Sequence, residues 1–365
     1  MKVLIVFNHP APYKVRLFNE LSKEVDLDVI FEKRRNANRP KDYYTETEYK
    51  FNAIFLTGIN LPGFQGENSF SFKVKRYIKK HYQEYDLIIM NGYSNFPEMF
   101  AIDYMIKHKI PYVLYINGGV IKKDSKSREK LKKRYVSQAD SYLSPSEEAN
   151  KYLVHYGANE EKIHLYNYST IKDIDVLEKP LSKEEKQAFR NKYNLPDGEL
   201  FVSASQFIER KNIMFLLECF KGLDQKLLLI GDGPLKESYE TYIKENNMTN
   251  VYIRDFMKRD ELLDLFNGCD YFITLSKEDI YGHTINEAMA KGLPVISSDT
   301  VMAAHKLIKN NKNGFIVSLC EKESIIECIH NINNLSPEES LKVARENTLE
   351  VMAKDHIEIF KRIMK

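Results

Sequence analysis

YFITLSKEDIYGHTINEAMAKGLPVISSD (residues 271–299) opens on an apolar run and passes through a loop holding Gly282. It continues as a short helical stretch and closes on a second apolar run, PVISS (294–298). Short apolar runs bounded by turn residues read as buried strands. Strand, glycine loop, helix and strand together form the unit from which parallel sheets are wound. Two carboxylates, Asp279 and Glu287, bracket the Tyr281-Gly282 turn. The backbone N–H groups of Gly282, His283 and Thr284 fall where the helix starts, and unpaired donors at the positive end of a helix dipole suit a phosphate. With one acid at the loop mouth and the other about a turn into the helix, both could accept hydrogen bonds from hydroxyls. Anion donors flanked by hydroxyl acceptors suit a sugar nucleotide. The same acids also fit a helix cap and a solvated first-turn residue, so the neighbouring segments have to decide.

The alternation extends in both directions. In the first half, VLIVF (3–7), LDVIF (27–31), AIFL (53–56), DLIIM (86–90), YVLYI (112–116) and SYLS (141–144) are separated by stretches of helical periodicity such as 13–23 and 97–109. In the second half, LFVSAS (200–205), KLLLIG (226–231), VYIRD (251–255), YFITL (271–275), PVISS and GFIV (314–317) repeat the scheme. The pattern predicts two α/β, doubly wound, Rossmann-like domains facing a central cleft, with ligands at the carboxyl ends of the strands. We expect a first domain over 1–172, a linker region over 173–198 containing Pro180 and Pro196, and a second domain over 199–345. The tail from Ser336 reads as one long helix opening on SPEE, its last part, 346–365, packing back on the first domain.

At 365 residues, with a hydrophobic fraction of 43%, the chain supports two packed cores and excludes disorder. Cys219, Cys269, Cys320 and Cys328 form no CxxC pair and read as reduced core residues of a cytoplasmic protein. The N-terminal apolar run is too short for a signal peptide, and no stretch approaches the roughly 20 apolar residues of a membrane span. Net charge is only +2, but residues 1–180 carry 29 Lys and Arg against 23 Asp and Glu. Two segments concentrate it: 73–80 (KVKRYIKK) and 122–134 (KKDSKSREKLKKR). Such runs are solvated helix faces or contacts to an anionic membrane surface, the inner face of the plasma membrane in this reading. No nucleic-acid motif accompanies them.

Two further strand-end loops matter. After LFVSAS, the loop from Ser205 carries adjacent cations, Arg210 and Lys211, suited to a diphosphate. GDGP (231–234), with Gly233, follows KLLLI and permits close backbone approach. Taken in order, SASQFIERKN, LLLIGDGP, SKEDIYGHTINEAMAKGLPVISSD and KNGFIV resemble the family-4 glycosyltransferases, enzymes of GT-B fold that use nucleotide-sugars. The signature is an acid, seven residues and a second acid with an aromatic-Gly pair between, matched by Asp279, Tyr281, Gly282 and Glu287. Most members have Glu first. Here Asp279 stands there, with Glu278 beside it.

The resemblance implies that Glu287 meets the ribose hydroxyls and Asp279 the donor sugar. Arg210 and Lys211, with the amides from Gly282 to Thr284, would hold the diphosphate, and Ser205, Gly233, Glu278, Tyr281 and His283 would line the donor. It implies retention of anomeric configuration, no metal or other cofactor, and a UDP-, GDP- or dTDP-sugar donor. Many relatives carry Gly-Arg where this chain has Ser205-Gln206, which leans phosphate binding on Arg210. In the first half, NHPAPYKVRLFNEL (8–21) and SPSEEANKYLVHYGANEEKIH (144–164) resemble polysaccharide-assembling members. That likeness implies a glycan acceptor, lipid-linked through a carrier such as undecaprenyl, in surface or capsular polysaccharide synthesis. Where many members place a histidine, this chain reads Ile116-Asn117-Gly118-Gly119; His9, Asn117 and Gly118 are the acceptor-side candidates. A catalytically silent partner subunit and a sugar-nucleotide epimerase are the competing readings.

Overall fold

The computed structural model describes residues 1–35, 44, 48–60, 69–121, 123–279 and 281–365. Lys122, the first residue of the second basic segment, lies outside the described residues. The chain forms two compact units, Met1–Tyr168 together with Leu349–Lys365, and Ser169–Thr348.

Up to Tyr168 the elements run β1 (Lys2–Phe7), α1 (Pro12–Leu21), β2 (Asp26–Phe31), β3 (Asn52–Phe55), β4 (Ile59–Asn60), β5 (Ser69–Phe70), α2 (Lys73–His81), β6 (Leu87–Met90), α3 (Phe96–His108), β7 (Val113–Tyr115), α4 (Lys126–Ser137), β8 (Ser141–Ser144), α5 (Glu147–His155) and β9 (Ile163–Leu165). There follow α6 (Lys183–Tyr193), β10 (Leu200–Ala204), α7 (Ile213–Phe220), β11 (Lys226–Ile230), α8 (Lys236–Glu245), β12 (Val251–Arg254) and α9 (Arg259–Phe266). The chain closes with β13 (Tyr271–Thr274), α10 (His283–Met289), β14 (Val295–Ser298), α11 (Met302–Leu307), β15 (Gly314–Val317), α12 (Lys322–Asn331), α13 (Pro337–Arg345) and α14 (Leu349–Ile363).

The first unit holds a seven-stranded sheet, β3-β2-β1-β6-β7-β8-β9, and the second a six-stranded one, β12-β11-β10-β13-β14-β15. All pairings in both are parallel. Each is a Rossmann-like α/β sheet whose strand order reverses beside its first strand, β1 or β10, and loops diverge at such a point to leave room for a ligand. The central strands are buried along most of their length, as helices on both faces require.

Three features escaped the periodicity. β9 is a half-exposed edge strand, so it lacks an apolar run. β4 and β5 form a two-residue antiparallel pair, too short to leave a pattern. The tail is two helices, α13 and α14, and not the single helix expected over 336–365. Ser336 caps α13 as expected, accepting from Glu339 N at 3.3 Å. The break comes at 346–348, where buried Asn347 folds its Nδ2 back onto Val343 O at 2.8 Å and its own carbonyl accepts Asn286 Nδ2 at 2.7 Å. The break sends α13 and α14 into different units.

Residues 173–198 fall in the second unit. There α6 is anchored by Lys186 and Arg190, which reach Asp270 at 3.0 and 2.6 Å. The cysteines divide: Cys219 and Cys269 are buried, Cys328 is half-buried and Cys320 is exposed, so Cys320 is not the core residue expected. It sits in the turn just before α12, where no helix covers it. Among the described residues no helix is long and apolar enough to cross a membrane.

Candidate functional site

In the second unit, β10 delivers the chain at Ser205 into a loop that tightens into a single 3₁₀ turn, Glu209–Lys211. Asn212 ends that turn in the left-handed region, φ 56°, and starts α7. Its side chain donates to Leu275 O at 3.0 Å, and Lys277 N donates to Arg210 O at 2.8 Å, so the loops after β10 and β13 are tied together. Across that tie, Lys211 Nζ contacts Asp279 Oδ2, and Arg210 Nη1 lies 3.9 Å from Asp279 Oδ1. Arg210 Nη1 also donates to Glu278 O at 3.2 Å. Asp279 and Lys211 are largely shielded while Arg210 remains well exposed, which leaves the guanidinium accessible to an anionic ligand.

Asp279 pairs by a parallel bridge with Val301, and Tyr281 O accepts Ala303 N at 2.8 Å. Gly282 follows with φ 101°, and a Cβ there would stand 2.4 Å from Val301 Cγ1. Only glycine allows that turn. The Tyr281 ring is buried, its hydroxyl pKa raised by that burial, and it lies 5.0 Å from the His283 ring. His283 and Thr284 open α10, and Glu287 follows one turn later, also buried.

Glu287 has partners that no sequence motif indicated. Thr170 Oγ1 donates to its Oε1 at 3.1 Å, and Arg259 Nε approaches the same oxygen at 3.6 Å. Arg259 also reaches Asp175 at 2.7 Å and Thr170 O at 3.0 Å. Burial opposes the Arg259 charge, but Glu287 and Asp175 outweigh it and raise its pKa. Burial likewise favours protonated Asp175, but the Arg259 hydrogen bond and charge, the Lys172 amide and the Lys291 charge together outweigh it and lower its pKa. Glu287 is therefore aimed by a fixed guanidinium. Thr170 precedes it by 117 residues, a separation at which no spacing rule operates.

The glycines of GDGP serve the packing of two loops. A Cβ on Gly231 would fall 1.9 Å from Ser205 O, and one on Gly233 2.5 Å from Phe207 O. Phe207 N donates to Asp232 O at 2.9 Å, closing the contact. Ser205, Gly233, Arg210, Lys211, Glu278, Asp279 and residues 281–287 thus belong to one interlocked set of strand-end loops. Among the described residues no group of three His, Cys, Asp or Glu side chains gathers as a metal site.

The acceptor-side candidates lie in the first unit, at strand ends. His9, after β1, is buried, and its Nδ1 lies 3.3 Å from Tyr44 Oη. Asn117, after β7, donates from Nδ2 to Asn91 Oδ1 at 2.9 Å, joining the ends of β7 and β6; Gly118 follows with φ 142°. Nearby in sequence, Glu98 closes a capping box on α3, its Oε2 accepting Ser94 N and Asn95 N at 3.0 and 3.2 Å. Its burial lifts the pKa to about 7. Glu32, just past β2, is fully buried, and burial first and the neighbouring Glu98 second raise its pKa.

The family profile described as Glycosyl transferases group 1 matches residues 185–350, and that described as Glycosyltransferase Family 4 matches 15–166. An uncharacterised glycosyltransferase of Methanocaldococcus jannaschii is 27% identical over 86% of this chain and 83% of its own length. The alpha-monoglucosyldiacylglycerol synthase of Streptococcus pneumoniae is 29% identical over 51% of this chain and 43% of its own. The crystal structure of Anabaena HepE in complex with UDP superimposes with a TM-score of 0.79 over 99% of this chain and all of that one, at 16% identity.

Proposed function

Because the chain belongs to the family-4 glycosyltransferases of GT-B fold, we propose that it moves a sugar, with retention of configuration, from a nucleoside diphosphate-sugar to a hydroxyl of a lipid-linked glycan. The setting proposed is bacterial surface or capsular polysaccharide assembly at the cytoplasmic face of the plasma membrane, with the basic segments 73–80 and 122–134 as candidate membrane contacts.

The observation that carries the donor half is the junction of Arg210 and Lys211 with Asp279 at the ends of β10 and β13. In this reading the bond from the anomeric carbon to the diphosphate breaks, and its electron pair passes to a phosphate oxygen beside Arg210 and Lys211. The acceptor hydroxyl bonds to that carbon from the same face, and its proton passes to the departing phosphate. Cations already held by Asp279 need little reorganisation to meet that charge, the condition under which electrostatic stabilisation is largest. Asp279 holds sugar hydroxyls, Glu287 those of the ribose, and Tyr281, Gly282, His283 and Thr284 shape the wall between them. His9, Asn117 and Gly118 are proposed on the acceptor side. Charge neutralisation is assigned to protein cations, so turnover is expected to survive EDTA.

HepE of Anabaena has been crystallised with UDP and with UDP-glucose, which puts UDP-sugars first in a donor panel, ahead of GDP- and dTDP-sugars. The pneumococcal relative is named for a glucosylated diacylglycerol, which favours a lipid acceptor. The deciding assay follows nucleoside diphosphate release with and without membrane glycolipid. Release that requires acceptor and collapses in Glu287→Ala supports the transferase. Donor conversion without acceptor would mean an epimerase, and silence with every donor a partner subunit.

A further inference from the structure

The two basic segments differ in what already neutralises them. On α4, Lys132 and Arg128 reach Asp124 at 2.6 and 3.6 Å, Lys133 reaches Glu129 at 2.8 Å, and Arg134 reaches Asp103 at 2.7 Å. On α2, Lys73, Lys75, Arg76, Lys79 and Lys80 crowd one short helix, and among the described residues none pairs with a carboxylate. Lys73 and Arg76, Lys75 and Lys79, and Arg76 and Lys80 stand three or four residues apart, a like-charge spacing that costs helix stability. Val74 and Ile78 bury the opposite stripe, so this charge faces outward by construction.

Aromatic rings adjoin that helix. Phe72 at its N-cap is 40% exposed and Phe70 of β5 is 36% exposed. Phe72 stacks on Phe100 of α3 at 4.6 Å, Phe70 meets Phe72 and Phe100 at 5.2 and 5.4 Å, and Phe96 lies 6.0 Å from Phe70. Lys75 Nζ stands 5.9 Å from the Phe72 centroid. α4 exposes Leu131, and Val120 and Ile121 precede it, but the rings beside Lys132, Tyr152 and Tyr156, are half-buried and buried, and four of its cations are already paired.

We propose that α2 and its phenylalanine cluster form the docking surface for an anionic phospholipid bilayer, Phe70 and Phe72 entering the headgroup region while the unpaired cations meet lipid phosphates. The chemistry is that of interfacial helices, where apolar burial and charge attraction act together. It assigns membrane contact to 73–80 and removes it from 122–134. This inference rests on the proposed transfer to a lipid-linked acceptor.

The chain contains no tryptophan, so Phe72→Trp installs a single reporter. Its emission is expected to shift to the blue with vesicles of phosphatidylglycerol in phosphatidylcholine and to stay put with phosphatidylcholine alone. Co-sedimentation of the unaltered chain gives the same answer without the substitution. Charge attraction worth roughly a fivefold change per cation predicts about a hundredfold weaker vesicle binding for Lys73→Gln, Arg76→Gln and Lys80→Gln together, and no change for Lys126→Gln with Lys130→Gln on α4. The inference is overturned if the anionic vesicles leave the emission unshifted, if the α4 pair weakens binding as much as the α2 triple, or if a single-stranded RNA binds α2 as tightly as the vesicles do. UDP binding in solution, measured beside each variant, separates the two readings: its retention in the α2 triple isolates docking, whereas vesicle binding by a chain that takes no nucleotide would sink the donor site alone.

Discussion

Both sheets reverse their strand order beside the first strand, yet the polar groups at their carboxyl ends are satisfied in opposite ways. In the second unit they are ion pairs: Lys211 and Arg210 on Asp279, Arg259 on Glu287 and Asp175. In the first, uncharged bonds join amide to amide, Asn117 to Asn91, and hydroxyl to hydroxyl, Tyr93 to Tyr152, beside buried carboxyls whose pKa values are raised. The strand order in each unit is one at which loops diverge, and the two strand ends offer different chemistry to a ligand. Paired cations suit a diphosphate, and neutral donors and acceptors suit sugar hydroxyls.

The sharpest way to break that comparison is to remove one group from each end. Lys211→Ala should lower turnover by about 10²–10³, the usual cost of deleting one transition-state charge partner, with the circular dichroism unchanged. Asn117→Ala should lower it by less than about tenfold. Equal losses would show that the charged end has no special part in the reaction.

Next comes Arg259→Leu, which leaves Asp175 and Glu287 without their shared cation. It should cost about 2–3 kcal/mol, below the full penalty for a broken buried pair because Arg259 keeps some solvent contact. Denaturant midpoints would measure this, and nucleotide affinity should fall in parallel.

Acidity should act on the two units differently. Burial raises Glu98 from 4.5 to about 7, so the folded first unit holds a proton that the unfolded chain releases. The stability linked to that proton is fully present below about pH 4.5 and is lost as pH rises through 7, a change of about 3 kcal/mol for a shift of this size. Glu32, whose pKa burial raises first and Glu98 second, acts in the same direction. Glu98→Gln, which can still cap α3, should flatten the profile of thermal midpoint against pH. In the second unit Asp175 is shifted downward, so its contribution is present above pH 3.8 and lost as pH falls through the lowered value. Gly282→Ala is expected to cost about 2 kcal/mol for a positive φ and the Val301 contact, with donor affinity reduced as the loop shifts.

The parallel sheets were legible because strands covered by helices on both faces are largely apolar, as Val3 to Phe7 and, apart from Ser203, Leu200 to Ala204 are. The loop carrying Asp279 was legible because strand, turn and helix signals fall in one short segment. What supports Glu287 was not, since Thr170 and Arg259 come from segments with no periodicity or motif linking them to α10. The break at Asn347 was hidden for a related reason: a helix-compatible sequence is interrupted by a hydrogen bond from distant Asn286. α2 was visible as a run of charge, but the absence of carboxylate partners for it among the described residues is a fact of three dimensions.

That break has one more consequence. Because α14 returns to the first unit, packing on α1 and lodging His356 against Tyr115 and Tyr166, the second unit is an insertion within the first. On a ribosome, residues 169–348 can emerge and close their own core while the first unit still waits for its last helix. The first unit's completion therefore waits for α14 to follow the second unit out. A nascent chain stalled before Leu349 should hold a protease-resistant second unit beside a first whose seam, with Tyr115 and Tyr166 beneath it, remains open to digestion.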